Sequence, residues 1–442
     1  MGETTAKQEC PSAFDAHHPP SNEIIDKCVH CGFCLPVCPT YVLWGQEMDS
    51  PRGRIYLMKL ASEGAAEMNP NWVSHFDSCL GCMACMTACP SGVDYGKLIE
   101  ATRAQIERKT ERPRGEKLHR RFMFETFTEP ERLRRLRLPL LAYQKSGLQA
   151  VVRELGLLKL FPKKVQAMEA LLPRLGRHEA VAEVTPAAGT KRRRVGLLLG
   201  CVQREFFPQV NAATARVLAA EGCDVVAPQA QPCCGALLVH AGEEFAAVEL
   251  AKKTIDVFER ANVDTIVTNA AGCGSNVKEY GHLLRDDPDY AKRAKVFAAK
   301  CKDVSEVLTE LEPRATRHAL KLRVAFHDSC HLQHAQGVRA QPRALLSDIP
   351  GLELAEIPEA AICCGSAGIF NLVQPDAANE LGDRKAQLIA SLKTDVVATG
   401  NPGCILQMQS ALERHGQKIP VVHTIQILDA SIRGESGESL RR

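Results

Sequence analysis

The sequence has few aromatic residues, little net charge and no long apolar run. Phe, Trp and Tyr make up 5% of the 442 residues, and the formal net charge is +3. Proteins that bind single-stranded nucleic acid stack bases on aromatic side chains in basic grooves, so nucleic acid is not an expected partner. Apolar runs such as 195–199 are far shorter than the roughly 18 residues of a membrane-spanning helix. We therefore expect no transmembrane helix.

Two patterns that would indicate substrate chemistry are also missing. No Gly-x-Gly-x-x-Gly run opens a helix after a strand, so the sequence predicts no dinucleotide site. No acid–base pair stands out that would remove a proton and a hydride from a substrate. We therefore predict no catalytic residue in this chain and expect the substrate chemistry on a partner.

Cysteine, by contrast, is abundant, with 19 residues. Disulfide frameworks are typical of small exported domains. The segment Met1 to Pro20 is polar and lacks the basic and then apolar layout of an export signal. The cysteine spacings are those of metal ligands. We therefore expect a cytoplasmic protein, peripheral at the inner face of the cell membrane where it meets one.

Eight of the cysteines form two runs with the spacing C-x2-C-x2-C-x3-C-P. This spacing is typical of bacterial ferredoxins with two [4Fe–4S] clusters, whereas zinc sites usually use two separated pairs of ligands. In such ferredoxins the fourth cysteine of each run binds the other cluster. The predicted ligands of the first cluster are Cys28, Cys31, Cys34 and Cys89. Those of the second cluster are Cys79, Cys82, Cys85 and Cys38.

The connection between the two runs predicts a helical ferredoxin domain. It spans the 40 residues between Cys38 and Cys79, which exceeds the connection of a compact ferredoxin. Ser50 followed by Pro51 is typical of a helix start. Arg52 and Arg54 follow, and they lie either near a cluster, where positive charge raises its potential, or on the surface of the helix.

The middle of the chain is basic and helical in pattern. Residues 103–137 contain twelve Lys or Arg against six Glu, with interleaved leucines. Three interpretations stay open: a solvated basic face, a docking surface for partner subunits, or an amphipathic surface on anionic lipid. Residues 180–190 have the composition of a linker.

The remaining cysteines reveal an internal duplication. Each of two units contains one cysteine, then a Cys-Cys-Gly, then a fourth cysteine. The first set is Cys201, Cys233, Cys234 and Cys273, and the second is Cys330, Cys363, Cys364 and Cys404. Equivalent cysteines are separated by 129, 130, 130 and 131 residues, so the two units are repeats.

Each repeat also has the same predicted order of strands and helices. The first has strands at 194–199, 224–227 and 264–268 and a helix at 243–260. The second has strands at 322–326, 352–355 and 395–398 and a helix at 377–392. This alternation predicts parallel sheets, and every cysteine then follows the carboxyl end of a strand, where open α/β sheets place ligands.

The Cys-Cys-Gly pairs indicate one or two further iron–sulfur clusters, a third and a fourth if both repeats are occupied. Adjacent cysteines suit two irons of one cluster better than one zinc ion, and glycine lets the backbone approach a cofactor. Buried, inert cysteine is the alternative. Cys10, Cys223 and Cys301 fit no such pattern and are predicted to be structural.

Two ferredoxin runs followed by two Cys-Cys-Gly repeats resemble the iron–sulfur subunits of glycolate oxidase. Subunits of anaerobic glycerol-3-phosphate dehydrogenase and heterodisulfide reductase are related. Residues 363–375 and 399–407, which read CCGSAGIFNLVQP and TGNPGCILQ, look most like the glycolate oxidase branch. The resemblance covers nearly the whole chain.

The resemblance implies a complex in which a flavin subunit oxidises glycolate or D-lactate. This subunit would relay the electrons toward the quinone pool or another membrane acceptor. The alternatives are a catalytic subunit like that of heterodisulfide reductase, the iron–sulfur subunit of another 2-hydroxy-acid or glycerol-3-phosphate dehydrogenase, and a membrane-anchoring scaffold whose repeats hold no metal.

The sequence departs from the heterodisulfide reductase pattern in one respect. There each repeat ends C-x-x-C, which supplies a fifth cysteine, whereas here Asn276 and Gln407 stand at that position. Disulfide cleavage at these sites is therefore not expected. Four polar residues flank the first cysteine of the second repeat and are read as a further ligand, a proton path or satisfied loop residues: His327, Asp328, His331 and His334.

The sequence thus predicts an α+β multidomain protein of four parts. The parts are a mostly helical two-cluster ferredoxin-like domain at 1–110, a basic helical connector at 111–190, and α/β Cys-Cys-Gly repeats at 191–318 and 319–442.

Overall fold

A computed structural model of the protein describes residues 12–176 and 178–441, so Cys10 lies outside the described residues. The chain forms two compact units. The first contains the chain up to Lys117 and the segment Val239–Glu244, and the second contains Leu118–Leu238 and the chain from Phe245 onward. The four-part division with boundaries at 110, 190 and 318 stays a prediction.

The first unit is helical, and its described residues form no strand. Its helices are α1 (Asn22–Ile25), α2 (Pro39–Trp44), α3 (Pro51–Ser62), α4 (Pro70–Asp77), α5 (Ala84–Thr87) and α6 (Tyr95–Lys109), with a 3₁₀ turn at Glu47–Asp49. Helix α3 starts where the sequence predicts. The Ser50 hydroxyl accepts the Gly53 N–H at 3.0 Å, and Pro51, which has no N–H to lose, occupies the first helical position.

The basic connector is helical, as predicted. Helix α7 (Arg114–Phe127) begins in the first unit and is followed by three helices of the second. These are α8 (Pro130–Lys145), α9 (Leu148–Glu154) and α10 (Lys163–Ala170), with a 3₁₀ turn at Leu157–Leu160. Pro162 stands at the N-cap of α10 and follows the 3₁₀ turn directly after Phe161.

The first Cys-Cys-Gly repeat is a five-stranded sheet with helices. In chain order its elements are β1 (Val184–Thr185), β2 (Arg193–Leu198), α11 (Cys201–Phe206), α12 (Pro208–Ala220), β3 (Cys223–Val226), α13 (Ala236–Val239), α14 (Glu244–Arg260), β4 (Thr265–Thr268), α15 (Ala271–Lys278), α16 (Tyr280–Leu283), α17 (Ala291–Ala299), β5 (Cys301–Asp303) and α18 (Val304–Glu310). The strand order is β1-β3-β2-β4-β5. Only the β1–β3 pair is antiparallel among these strands.

The second repeat has a four-stranded parallel sheet. In chain order its elements are β6 (Leu322–Phe326), a π-helical turn at His331–Ala335, α19 (Ala340–Ser347), β7 (Leu352–Glu356), α20 (Phe370–Val373), α21 (Pro375–Ser391), β8 (Val396–Thr399), α22 (Pro402–Arg414), β9 (Val421–His423), α23 (Thr424–Ile432) and a 3₁₀ turn at Gly437–Leu440. The strand order is β7-β6-β8-β9.

The two sheets have the same topology once β1 is set aside. The order β3-β2-β4-β5 of the first matches β7-β6-β8-β9 of the second, and Val195↔Thr265 and Val324↔Val396 pair the central strands. The six predicted strands lie within one residue of their observed ends. The short strands β1, β5 and β9 were not predicted, and β1 lies inside the predicted linker 180–190.

Each unit has its own apolar core. The inner face of α3 and helices α4 and α6 pack together in the first unit, where Met58, Phe76 and Leu98 are fully buried. In the second unit strands β4 and β8 are buried along their length, and one core extends over both sheets. Strands covered on both faces are expected to be mostly apolar, and β4 and β8 contain no polar residue other than threonine. The predicted fold class, a helical ferredoxin-like part, a helical connector and a duplicated α/β part, is confirmed.

Candidate metal centres

The first cysteine run forms a loop around a pocket. Two cysteines of the second run also line this pocket, and the five cysteines around it are Cys28, Cys31, Cys34, Cys85 and Cys89. His30 and Gly32 have φ angles of 54° and 86°, so the loop turns tightly between the cysteines. The pocket encloses about 410 Å³, part of it open to solvent. The structure thus brings together the four cysteines predicted for the first cluster.

The cysteines predicted for the second cluster are more deeply buried than those predicted for the first. The four cysteines predicted for the second cluster are each less than a tenth exposed: Cys38, Cys79, Cys82 and Cys85. Burial, together with the neighbouring thiols of Cys82, Cys79 and Cys38, raises the pKa of Cys85 well above its ordinary value. Cys38 therefore lies near Cys85 of the second run, as the predicted crossover requires, and the assignment of ligands to clusters stays a prediction.

Arg54 is a buried cation beside this second set. The side chain is 1% exposed. Its guanidinium donates to four oxygens, those of His75 (backbone), Thr40, Ser78 and Asp49. Although burial opposes ionisation, the charges of Arg54 and Arg103 lower the pKa of Cys79. Of the two interpretations of Arg54, the structure therefore supports the one near the cluster ligands.

Arg52 lies at the other set. It pairs with Glu47 at 2.6 Å and donates to the His30 carbonyl at 3.1 Å, inside the first cysteine loop. It also lines the pocket. Each predicted cluster site therefore has one arginine from the start of α3.

The Cys79 thiol also accepts hydrogen bonds. The Gly81 N–H and the Tyr95 hydroxyl donate to Sγ at 3.4 and 3.6 Å. Such donors stabilise negative charge on sulfur and tune the potential of iron–sulfur sites. The donor set, grouped thiols with buried cations and N–H groups around them, fits a cluster in this unit.

The four cysteines of the first repeat converge on one place. Cys201 begins α11, Cys233 and Cys234 follow β3, and Cys273 lies on α15. The Cys201 and Cys233 sulfurs are 3.4 Å apart, and the Gly235 N–H donates to the Cys233 sulfur at 3.5 Å. The hydrogen bond to Cys233 and burial raise the pKa of Cys201 well above its ordinary value. Cysteines brought together in this way, two of them with sulfurs 3.4 Å apart, are a donor set that fits an iron–sulfur cluster.

The second repeat builds the equivalent site. Cys330 and Cys363 have sulfurs 4.0 Å apart, and the Asn401 amide donates to the Cys404 sulfur at 3.6 Å. Hydrogen bonds with Cys330 and then Cys364 lower the pKa of Cys363 well below its ordinary value. This site is enclosed, with all four thiols buried, whereas Cys201 and Cys273 of the first repeat are half-buried.

The glycine of each Cys-Cys-Gly is required by its backbone. Gly235 and Gly365 have φ angles of 84° and 92°, which L-residues rarely adopt. A Cβ on Gly365 would lie 2.7 Å from the Ala378 carbonyl oxygen, and one on Gly235 would lie 3.4 Å from that of Ala247. The helices α21 and α14 therefore approach the two turns closely.

The start of α15 contacts the residues just before α22, and these two helices contain the fourth cysteines. The Ala271 N–H donates to the Gly400 carbonyl at 3.1 Å, and the Gly272 N–H donates to the Asn401 side-chain oxygen at 3.4 Å. Cys273 and Cys404 follow these contacts by one to four residues. The two repeat sites thus adjoin.

Amides occupy the positions of the absent fifth cysteines. Asn276 is buried and donates to the Cys234 carbonyl at 2.7 Å. Gln407 is buried and donates at 2.7 Å to the carbonyl of Ala378, the residue that faces Gly365. These side chains hold the Cys-Cys-Gly turns, which explains their place in the repeat.

Sequence reasoning missed Lys385. Its side chain is almost fully buried, and Nζ donates to the Glu359 carbonyl at 2.9 Å. Burial lowers its pKa, while the nearby Cys364 and Cys363 raise it. The signal was present, since Ala378, Leu381, Lys385 and Ile389 fall on one helical face.

The predicted neighbours of Cys330 separate into different roles. Asp328 forms a two-point ion pair with Arg343, at 2.9 and 2.6 Å, and is a satisfied loop residue. His331 contacts the Cys330 sulfur at 3.7 Å, and His334 lies 3.3 Å from the Ala361 carbonyl. His327 is placed among the thiols, with a ring nitrogen, the Cys364 sulfur and the Cys404 sulfur all within 4.8 Å of one another.

Family models match most of the chain. A 4Fe-4S dicluster domain matches residues 24–93, the linker region of the glycolate oxidase iron–sulfur subunit matches 115–172, and a cysteine-rich domain matches twice, at 195–278 and 324–409. These matches confirm that the chain carries iron–sulfur clusters and that the Cys-Cys-Gly unit is duplicated. No helix among the described residues is both long and apolar enough to span a membrane.

Three relatives extend this result. The probable glycolate oxidase iron–sulfur subunit of Bacillus subtilis is 41% identical over 91% of this chain and 92% of its own length. The glycolate oxidase iron–sulfur subunit of Escherichia coli is 36% identical over 94% of this chain and 96% of its own. Lactate utilization protein A of Bacillus cytotoxicus is 32% identical over 54% of this chain and 99% of its own. The chain therefore belongs to the family of glycolate oxidase iron–sulfur subunits.

Proposed function

We propose that this chain is the electron-transfer subunit of a glycolate oxidase complex. A flavin subunit would oxidise glycolate or D-lactate, and this subunit would pass the electrons toward the quinone pool at the inner face of the cell membrane. Relatives named for glycolate oxidase and for lactate utilisation support the two substrates.

Sixteen cysteines hold four clusters in this proposal. Two are the ferredoxin-type sets, which exchange their fourth cysteines. Cys89 joins the three cysteines that begin with Cys28, and Cys38 joins the three that begin with Cys79. The other two are the four-cysteine groups of the repeats. When bound, each cluster supplies one-electron transfer at a potential set by its surroundings.

The chain's own residues prepare these sites for negative charge. Arg54, held by four oxygens, remains ionised beside Cys79 and Cys38 and needs no further partner. The Tyr95 hydroxyl and Gly81 N–H donate to the same sulfur that Arg54 influences. Burial of the second set excludes water, which strengthens each of these interactions.

One observation carries the relay function of the repeats: the start of α15, which contains Cys273, is hydrogen-bonded to the residues just before α22, which contains Cys404. Electron transfer between centres requires short separations, and adjoining ligand segments provide them. A catalytic or purely structural use of one repeat would not need this contact.

The connector supports docking to a partner subunit. Eleven of its large apolar side chains are exposed: Leu118, Phe122, Leu136, Leu138, Leu148, Val151, Leu155, Leu157, Leu160, Phe161 and Val165. Leu138 and Leu160 are 72% and 82% exposed. Apolar surface of this density marks an interaction site. We therefore favour docking of the flavin subunits over a solvated basic face.

The test is anaerobic purification of the tagged chain together with its complex. We expect a flavoprotein to co-purify, glycolate to produce reduced cluster signals in EPR, and a quinone analogue to reoxidise them. Four clusters correspond to about 16 iron per chain, and about eight would mean empty repeats. The proposal fails if no flavoprotein is bound and the isolated chain reduces a heterodisulfide.

A pair of surface variants tests the docking surface. The double variant Leu138→Ser with Leu160→Ser should lose the flavoprotein while keeping its iron. The control Val296→Ser removes an apolar side chain that is 54% exposed but lies outside the connector. If the control loses the flavoprotein to the same extent, or the double variant retains it, the connector is not the docking surface.

A further inference from the structure

The two repeats differ at one position inside their cysteine sites. His327 lies three residues before Cys330, and Leu198 lies three residues before Cys201. Both residues are 2% exposed and stand at the carboxyl end of the equivalent strand, β6 or β2. Leu198 packs into an apolar cluster that includes Cys233 and Cys234. The same place therefore holds a hydrocarbon in one repeat and an imidazole in the other.

The imidazole of His327 is aimed at the thiols. The His327 backbone N–H donates to the Ala398 carbonyl at 2.9 Å, which fixes the residue beside β8. A ring nitrogen and the sulfurs of Cys364 and Cys404 lie within 4.8 Å of one another, and all three residues are buried. The ring makes a side-chain hydrogen bond with Cys404, and its Nδ1 is shielded from water with no hydrogen-bond partner among the described residues. A buried, unpartnered ring nitrogen is costly unless something binds it.

Three other polar side chains near this site are engaged elsewhere, and His331 contacts a single thiol, that of Cys330, at 3.7 Å. Asp328 is bound by Arg343, and Lys385 donates to the Glu359 carbonyl. His334 points to the Ala361 carbonyl. Four polar residues flank Cys330, and the structure describes all of them. Of these four, His327 is the one with a ring nitrogen within reach of two thiols.

We propose that His327 is a metal ligand, so that the second repeat holds an iron–sulfur centre with mixed imidazole and thiolate ligation while the first is ligated by cysteine alone. This inference rests on the proposed loading of the repeats with iron. The imidazole donates a neutral nitrogen lone pair to iron as a ligand additional to the four cysteines, so it adds no negative charge to the centre, whereas a fifth thiolate would. Replacement of thiolate by imidazole is known to raise the potential of iron–sulfur centres.

The test combines iron analysis with EPR spectroscopy of nitrogen couplings in the whole, anaerobically purified complex, titrated with a reductant. We expect a strongly coupled nitrogen on one centre, whose coupling changes to that of ¹⁵N when histidine is ¹⁵N-labelled. His327→Leu places the residue of the first repeat at this position and should lose that coupling. His327→Cys offers another ligand and should keep the iron while losing the nitrogen coupling and lowering the potential of that centre.

Two further variants serve as a negative and a positive control for the nitrogen coupling. His415→Leu removes an exposed imidazole that lies beside Asp383, and it should leave the coupling intact. Leu198→His places an imidazole in the first repeat and should add a second coupled nitrogen.

The outcomes separate the two proposals. An iron content of about 16 per chain would support the loading of both repeats. If the wild type then shows no coupled nitrogen, or if the coupling survives in His327→Leu, the ligand role of His327 is overturned while the loading of the repeats stands. About eight iron, with none in the repeats, overturns both.

Discussion

The two Cys-Cys-Gly repeats share one framework but differ in what surrounds their cysteines. Strand order, the positive φ of Gly235 and Gly365, and the four thiols agree. Leu198 of the first repeat corresponds to His327 of the second. Thr254 follows Ala247, which faces Gly235, by the same number of residues as Lys385 follows Ala378, which faces Gly365. Thr254 is therefore the equivalent of Lys385 in the first repeat.

The difference gives the two sites different electrostatics and access. The first has half-buried Cys201 and Cys273 and apolar or hydroxyl neighbours, whereas the second is enclosed and has an imidazole and an ammonium group. Duplication has kept the positions that hold a metal and changed the positions that set its properties. Two centres of unequal potential are useful in a relay, since the difference gives the electron a direction.

The largest expected effect is loss of iron from one repeat at a time. Cys234→Ser and Cys364→Ser should each lose about four iron per chain, since a serine hydroxyl is a poor ligand for iron in a cluster. The remaining EPR signals of the two variants should differ, because each retains the centre that the other has lost. Iron and sulfide analysis with EPR checks this.

The control for these variants is Cys301→Ser. Cys301 is also a buried thiol of the first repeat but belongs to β5 and not to the cysteine site. The proposal that each repeat holds its own centre is contradicted if Cys301→Ser loses as much iron as Cys234→Ser. It is also contradicted if Cys234→Ser and Cys364→Ser leave identical EPR spectra.

The repeats should also respond oppositely to pH. Burial raises the pKa of Asp303, which caps α18, to about 6 from 3.8. Burial lowers the pKa of His423, which caps α23, to about 4 from 6.5. His423 is held neutral because Nδ1 accepts the Ile425 N–H and Nε2 contacts the Asn269 carbonyl.

The signs of the two effects follow from proton binding. Between pH 4 and 6 folded Asp303 keeps a proton that the unfolded chain releases, so its contribution to stability falls as pH rises. Over the same range folded His423 lacks a proton that the unfolded chain binds, so its contribution rises. Each pKa unit corresponds to about 1.4 kcal/mol, so each group contributes on the order of 3 kcal/mol over the whole window.

Single variants should separate these opposed slopes. Asp303→Asn removes the contribution that decreases with pH, so the melting temperature should rise more steeply from pH 5 to 6.5. His423→Asn removes the contribution that increases with pH, so the melting temperature should fall over the same range. Anaerobic thermal melts at several pH values check this. Parallel curves for the two variants would contradict the assignment of these protonation states.

A smaller difference is expected from the two glycines. Either Gly→Ala change strains a backbone of positive φ by about 1–2 kcal/mol. Gly365→Ala also drives a Cβ against the Ala378 carbonyl at 2.7 Å, whereas Gly235→Ala meets Ala247 at 3.4 Å. Gly365→Ala should therefore lower the melting temperature more than Gly235→Ala does. The opposite order would mean that α21 gives way more easily than α14.

The cysteine sites were predictable because spacing and topology place them. The offsets of 129 to 131 residues align the repeats, and cysteines at the carboxyl ends of parallel strands must meet at one edge of the sheet. Short β5 and β9 have only three residues each and lack a periodic signal, so they were missed.

The surroundings of the cysteines were harder to predict. Lysine in an amphipathic helix is usually solvated, so Lys385 was overlooked although its neighbours on the helix face are apolar. Asn276 and Gln407 were noted as departures from a cysteine pattern, but their bonds to the Cys234 and Ala378 carbonyls depend on three-dimensional packing. The sequence leaves two interpretations of Arg54 open, near a cluster or on the surface of the helix, because the signals of a helix start do not indicate how deeply a side chain is buried.

Lys385 provides the finest test of the comparison. Its ammonium group is buried near Cys363 and Cys364, and a cation stabilises the added electron of a reduced centre. Lys385→Met keeps the length of the side chain and removes the charge, so the potential of the second repeat should fall by on the order of 1 kcal/mol, or about 40 mV. The first repeat, with Thr254 at this position, should not change. Redox titration by EPR measures both, with the exposed Lys418→Met as control. An equal fall in both repeats would show that the charge acts on the whole unit, and the asymmetry of the two sites would then have to arise from His327 and access alone.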